Sequence, residues 1–579
     1  MGIAEVSTIA ELVQRQWGDH RVGLRDRSRV LSHHRVASGA AARAALLVDL
    51  LPRGAPPHVG VLLDNTPEFP LWLGAAALAG AAVVGINPTR RGAELARDIT
   101  HTECRVLLTR RTLLPLLDGL DLPGTRVLVT DSEEYAELLA PYAGAEPGAH
   151  TLGPVGPRTR LLLCFTSGST GAPKAAIRTQ GRVAKAGHAL RDMFRTGPDD
   201  VHYLCMPLFH GNAVIGGWAP ALAAGASVAL RDRFSASGFL SDVREFGATY
   251  FTYVGRSVQY LLATEERPDD RDHRLRTGFG TEAGAVDAAR FTARFGVPLV
   301  EGYGSSEGGV SLRRTPGAPP GAIGRAAPGD DLAVVDPATG REREPAVLSP
   351  EGRLLNGDAA IGELVNRSPS PFEGYWHHPE AEAARTRDGW FWTGDLFFRD
   401  TDGYLHFAGR ADDRIRVDGE NLATALIEAI LARWAGAGAV AVYPVPDPVS
   451  GDQVMVALVP AAAGPGEAEG QGFDPVGFAG FLAAQSDLGA KAVPRFVRIM
   501  AGLPVTATHK IHRAELRRTG LDCAELWWRP GAGPEYRPLT GADRAALEAR
   551  YREHGRESAF RPGPGYGGGG GGNAFGRPG

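Results

Sequence analysis

Short apolar runs alternate with longer segments of helical character along the first 330 residues. Residues 59–63, 106–108 and 127–130 are such runs, the first of them closed by Asp64-Asn65. Residues 73–84 are Ala-rich and predict a helix, with Gly85-Ile86-Asn87-Pro88 as the turn after it. Strands separated by helical stretches predict parallel sheet layers covered by helices. Between residues 321 and 410 the pattern changes to short strands among many Gly and Pro turns, a more β-rich piece.

After Arg410 the character changes again. Residues 422–434 have the periodicity of an amphipathic helix, and residues 439–443 and 454–459 are β-like runs joined by a Pro/Gly-containing loop. Residues 461–472 are a Gly/Ala/Glu loop, and residues 563–579 include a six-glycine run that predicts disorder. The expected fold class is α/β. A large multi-layer α/β N-terminal domain with a β-rich subdomain spans residues 1–410. A small mobile α+β domain spans residues 411–535, and a C-terminal extension, residues 536–579, ends in the glycine tail.

Composition narrows the function classes. At 579 residues the chain exceeds the roughly 250–300 that one core supports. A net charge of −4 argues against a dedicated nucleic-acid binder. Cys104, Cys164, Cys205 and Cys523 are scattered, with no CxxC pair and no His at metal spacing, so free thiols in a reducing, cytoplasmic setting are expected. No signal peptide or myristoylation pattern is read at the start. The longest apolar stretch, residues 213–230, is Gly/Ala-rich and holds Pro220, which suits a buried pocket lining better than a membrane span. The chain has only four lysines, Lys174, Lys185, Lys491 and Lys510, on an Arg-rich background. A retained Lys therefore points to a need for a compact ammonium.

The sharpest motif is Thr166-Ser167-Gly168-Ser169-Thr170-Gly171-Ala172-Pro173-Lys174, which follows the apolar residues 161–165. Hydroxyls interleaved with glycines place side-chain and backbone donors close to an anion, which suits a polyphosphate. It is not a Walker A loop, which needs Gly-Lys-Ser/Thr.

This string resembles the phosphate-binding signature of the adenylate-forming superfamily: acyl-CoA synthetases, peptide-synthetase adenylation domains and luciferases. Other motifs follow in that family's order: Glu301-Gly302-Tyr303-Gly304-Ser305-Ser306-Glu307, Trp392-Thr393-Gly394-Asp395, Gly409-Arg410-Ala411-Asp412-Asp413 and Pro504-Val505-Thr506-Ala507-Thr508-His509-Lys510. The resemblance implies an ATP-dependent, AMP-forming acid–thiol ligase using ATP, Mg²⁺ and coenzyme A. Lys510 would stabilise charge at the α-phosphorus and Lys174 would grip the β/γ phosphates. Glu307 would hold Mg²⁺. Tyr303 would stack on adenine opposite the wall of Gly280, Thr281 and Glu282, with Gly304, Ser305 and Ser306 beside it. Asp395 would accept from the ribose hydroxyls, with Arg410 adding a contact. Asp412 would be the hinge, and Gly419, Glu420 and Asn421 would line the coenzyme A tunnel. His210 stands where relatives orient the carboxylate, although a packed structural His fits there too.

Four local strings resemble the fatty acid transport protein and very-long-chain acyl-CoA synthetase branch: Ile86-Asn87-Pro88-Thr89-Arg90-Arg91-Gly92, Phe251-Thr252-Tyr253-Val254-Gly255-Arg256, Gly419-Glu420-Asn421-Leu422-Ala423-Thr424 and Pro494-Arg495-Phe496-Val497-Arg498. They imply a long-chain, very-long-chain or bulky steroid or terpenoid acid. Two positions depart from the family: His509 stands where many relatives have Gly, and Leu426 where many have Glu. They leave open an acyl-adenylate ligase that serves a carrier protein or partner enzyme. A lipid-binding or uptake protein is the alternative of another class.

Overall fold

The computed structural model describes residues 7–165, 174–305, 307–314, 317–319, 321–350, 354–369, 371–417, 420–449, 451–461, 473–506, 510–531 and 533–560, with only the backbone of Asp412, Glu420, Asn421, Ser558 and Ala559. Two largely parallel sheets form the large domain. The first has the spatial order Arg126–Val129, Val106–Thr109, His58–Val61, Ala82–Gly85, Arg160–Phe165, Ala175–Thr179. Only its last pair is antiparallel. The second runs Ser311–Arg313, Leu299–Gly304, Thr277–Thr281, Tyr250–Val254, Val201–Leu204, Ser227–Leu230, Val22–Arg25, Val30–Ser32, with antiparallel pairs only at its two edges. Parallel pairing needs crossover connections, and the covering helices bury both faces. Val106–Thr109 and Tyr250–Val254 are accordingly buried at every position.

Helix Glu68–Ala79 is buried along its whole length and packs on His33–Leu50. Small residues permit the approach: a Cβ at Gly74 would lie 2.9 Å from the Ala40 methyl. The helix expected over residues 73–84 is therefore the second half of this helix followed by strand Ala82–Gly85. Gly80, at φ 77°, donates to the Ala76 and Ala77 carbonyls and ends the helix. Alanine fits a buried helix and a buried strand alike, so composition hid the break. Residues 213–230 likewise divide into a π-helical turn Val214–Trp218, helix Ala219–Ala224 and strand Ser227–Leu230. Among the described residues no helix is long and apolar enough to cross a membrane.

The expected β-rich piece is an antiparallel sheet ordered Ala322–Gly324, Leu405–Arg410, Trp390–Arg399, Gly362–Asn366, Leu332–Val335. A bridge between Ala176 and Tyr375 ties this region to the first parallel sheet. The small domain opens with hairpin Ile415–Val417/Glu420–Leu422 and helix Thr424–Leu431. Its five-stranded sheet is built on the hairpin Ala437–Pro446/Asp452–Pro460, which holds the two expected β-like runs. Beyond residue 535 the chain continues in the same body, for Leu547, Tyr551 and Phe560 share a core with Tyr443 and Phe496. The glycine tail lies outside the described residues.

Candidate active site

Ligands of open α/β sheets sit beyond the carboxyl ends of the strands. Here those ends meet across the two sheets. Asn65, after strand His58–Val61, donates to the Met206 carbonyl and accepts from the Leu208 N–H, both at 2.8 Å. At the end of strand Ala82–Gly85, a Cβ on Gly85 would lie 2.4 Å from the Phe209 carbonyl oxygen. The loop that carries His210 is thus fixed from the other sheet. Burial, helped by the Lys510 ammonium, pushes the His210 imidazole down to about 4, so the ring is neutral at ordinary pH. Its Nε2 is out of solvent with no hydrogen-bond partner, as is Asn212 Oδ1.

Strand Thr277–Thr281 ends at Glu282, whose φ of 69° is left-handed and costly for a residue with a Cβ. The turn is held by Glu301 on the next strand. Its carboxylate accepts from the Glu282 N–H at 3.1 Å, the Ala283 N–H at 2.7 Å and the Tyr253 hydroxyl at 3.1 Å. Gly280 and Gly255 let the backbones close in: a Cβ at Gly280 would fall 2.1 Å from the Tyr253 carbonyl oxygen, and one at Gly255 1.7 Å from that of Glu282. Burial raises Glu301 to about 7 against those three hydrogen bonds. Its folded pKa lies above the ordinary 4.5, so the folded chain retains a proton that the unfolded chain has released between those values. Stability should fall as pH rises through that window. The melting temperature of the wild type is expected to drop relative to Glu301→Gln between about pH 5 and 7.5, and parallel curves would contradict this.

On the same strand as Glu301, Tyr303 packs edge-on against Phe397, with centroids 4.8 Å apart. Its hydroxyl donates to Asp395 Oδ2 at 2.6 Å. Asp395 pairs in register with Arg410 on the adjacent strand, and Arg410 Nε lies 3.3 Å from Oδ1. Burial raises the Asp395 pKa, opposed first by Arg410 and then by the Tyr303 hydroxyl. A carboxylate offers about four acceptor positions, and these two contacts leave room for a vicinal diol.

Glu307 is buried and accepts from the Tyr375 hydroxyl at 2.7 Å through Oε1. Burial raises its pKa, but the hydrogen bonds of Tyr375, its own N–H and the Ser305 hydroxyl prevail and hold it below the usual value. It is therefore ionised. Among the described residues no three His, Cys, Asp or Glu gather as a metal cage. A single ionised carboxylate suits Mg²⁺, which binds through one or two carboxylates and substrate phosphates.

Lys510 comes from the small domain, and its Nζ donates to Glu282 Oε1 at 2.6 Å. Its backbone is pinned by Thr506, whose hydroxyl accepts the Lys510 N–H at 3.2 Å and whose N–H donates to the Lys510 carbonyl at 2.7 Å. Helix Arg513–Thr519 follows and ties this loop to the single helical turn Ala411–Asp413. Arg517 contacts Asp413 at 2.6 Å, and Arg513 contacts Glu428 at 2.7 Å. Leu426, at the departure noted above, packs with Leu396, Ala408 and Ala423, an apolar contact between the two domains.

Lys510, Glu282 and His210 therefore converge, as do Tyr303, Asp395 and Arg410, with Glu307 in electrostatic reach of Asp395. Gly304 is exposed at the end of its strand, and Thr281 and Lys174 are half-buried. Thr166, Ser167, Gly168, Ser169, Thr170, Gly171, Ser306 and Gly419 lie outside the described residues, as do His509 and the side chains of Asp412, Glu420 and Asn421. Sequence reading gave no role to Glu301, Tyr375 or Arg385. Arg385 acts electrostatically on both Glu307 and Asp395. No local string marks Tyr375 or Arg385: a bridge to Ala176 brings in Tyr375, and Arg385 comes from the end of helix Pro379–Arg385.

Residues 11–376 match the family described as "AMP-binding enzyme". The chain is 49% identical over 558 residues to a steroid-22-oyl-CoA synthetase of Rhodococcus jostii, covering 96% of this chain and 99% of that protein. It is 44% identical over 512 residues to the medium/long-chain-fatty-acid–CoA ligase FadD17 of Mycobacterium marinum, covering 88% and 95%. The fold matches ATP-bound MatB from Rhodopseudomonas palustris with a TM-score of 0.76 at 24% identity, over 88% of this chain and 98% of that one.

Proposed function

The chain belongs to the family of AMP-binding enzymes, and we infer that it is an ATP-dependent, AMP-forming acyl-CoA synthetase acting on a bulky acid of the steroid type. The observation that carries the reading is the reach of Lys510 from the small domain to Glu282, beside His210 and the Tyr303–Asp395–Glu307 group. Similarity along nearly the whole chain, at 49% identity, to a steroid-22-oyl-CoA synthetase supports the substrate class.

Adenylation begins with attack of the acid's carboxylate on the α-phosphorus of ATP, and pyrophosphate leaves. Tyr303 and the backbone wall of Gly280, Thr281 and Glu282 flank the adenine. Asp395 accepts hydrogen bonds from the ribose hydroxyls, with Arg410 opposing the rise that burial gives its pKa. Glu307 is the residue to hold Mg²⁺, which when bound neutralises phosphate charge. Neutral His210 and Asn212 face the carboxylate end of the acid. Lys510 leaves Glu282 to bridge the developing negative charge at the α-phosphorus. Thioester formation follows after the small domain turns about the segment at Asp412, withdrawing Lys510 and bringing Gly419, Glu420 and Asn421 to the pantetheine arm. The turning body runs from residue 411 to Phe560, and the Arg517–Asp413 and Arg513–Glu428 pairs carry the lysine loop with the hinge. Four unpaired cysteines fit a cytoplasmic setting.

The substrate class is tested by kcat/KM for a C22 steroid carboxylic acid against palmitic acid. A preference of about tenfold or more for the ring acid is expected, within what pocket shape can supply. A preference for the straight chain would overturn the steroid assignment while leaving the ligase assignment intact.

A further inference from the structure

Arg178 lies on strand Ala175–Thr179, which leaves Lys174, and pairs there with Leu162 on the strand leading into the Thr166 loop. Its Nη2 donates to the Ser305 carbonyl at 2.9 Å. The same carbonyl accepts the Gly308 N–H at 3.0 Å, which closes the turn that presents Glu307. The guanidinium occupies the space of a missing side chain: a Cβ on Gly308 would fall 1.3 Å from Nη1 and 2.1 Å from Cζ. Gly308 is also left-handed, at φ 66°. Burial lowers the Arg178 pKa, while Cys164, Glu373 and Glu307 pull the other way, and its Nε has no hydrogen-bond partner. An arginine stays charged under such conditions. An aliphatic residue would fill a strand position without burying a charge, so packing alone does not account for Arg178.

We propose that Arg178 is a positioning residue for Glu307: it clamps the Ser305–Gly308 turn so that Glu307 and Lys174 address the same nucleotide phosphates. The inference rests on the reading of Glu307 as the Mg²⁺ ligand. Groups that orient a metal ligand typically change metal affinity about 10–100-fold when removed.

The test is ATP affinity by calorimetric titration with and without Mg²⁺, together with ATP–pyrophosphate exchange in the full chain across Mg²⁺ concentrations, for wild type, Arg178→Ala, Gly308→Ala and the double variant, with Glu307→Gln as reference. The gain in ATP affinity from Mg²⁺ should shrink in the Arg178 and Gly308 variants. Arg178→Ala is expected to raise the Mg²⁺ needed for half-maximal exchange about tenfold, leaving the KM for the acid within about twofold. Gly308→Ala keeps the arginine but evicts its guanidinium, so it should show the same shift, and an unchanged Mg²⁺ requirement in Gly308→Ala overturns the inference even if Arg178→Ala does not fold. In the Arg178→Ala background Gly308→Ala should add less than about twofold. An unchanged Mg²⁺ requirement in Arg178→Ala, alongside a raised one in Glu307→Gln, overturns the inference. So does an equal cost of Gly308→Ala in both backgrounds, which is backbone strain alone. An unchanged requirement in Glu307→Gln overturns the Glu307 reading itself, and the inference with it.

Discussion

Lys510→Ala should cut acyl-adenylate formation by about 10²–10³-fold or more while ATP still binds. Removing a preorganised charge from the position where transition-state charge gathers costs about 3–4 kcal/mol. The lysine side chain is half exposed, with 47% of its surface accessible, and it pairs with the equally exposed Glu282. An exposed pair of that kind contributes about 0–1 kcal/mol to stability. The backbone bonds to Thr506 hold the loop whichever side chain is present. Folding and nucleotide affinity should therefore survive the change. Calorimetric titration with ATP should show affinity within a few-fold of wild type while pyrophosphate exchange collapses. Near-normal exchange would remove Lys510 from the chemistry.

Asp395→Ala should raise the KM for ATP about 10–100-fold, a loss of about 1.5–3 kcal/mol for hydrogen bonds to a charged acceptor. The carboxylate is buried, fixed by Tyr303 at 2.6 Å and by Arg410 at 3.3 Å, and so is oriented before the nucleotide arrives. The substitution also leaves the Tyr303 hydroxyl without its acceptor, so the stacking wall should loosen together with the ribose contact. Asp395→Asn keeps one acceptor oxygen and should fall between the two. Initial-rate kinetics against ATP at saturating acid reads the effect, and an ATP KM unchanged in Asp395→Ala would contradict it.

What could be read from the sequence was chiefly local. Runs such as residues 59–63 and 454–459 showed their strands because buried parallel and hairpin strands are continuous in apolar character. Glu307, Asp395 and Lys510 stood in short strings whose residue types fit one chemistry. The break at Gly80 did not show, because Ala-rich sequence serves helix and strand alike. Residues whose role arises only from distant pairing did not show either. Lys510 and Glu282 are 228 positions apart, and Tyr375 and Glu307 meet across 68. Glu301 was visible within its motif, but its task of holding the left-handed turn at Glu282 appears only when adjacent strands are aligned.

Mass spectrometry of the products formed from ATP, Mg²⁺ and a C22 steroid carboxylic acid, with and without coenzyme A, tests the central claim most directly. The account predicts acyl-adenylate and pyrophosphate without coenzyme A, and acyl-CoA with stoichiometric AMP when it is added. Formation of ADP, or acyl-adenylate that coenzyme A never consumes, would contradict it.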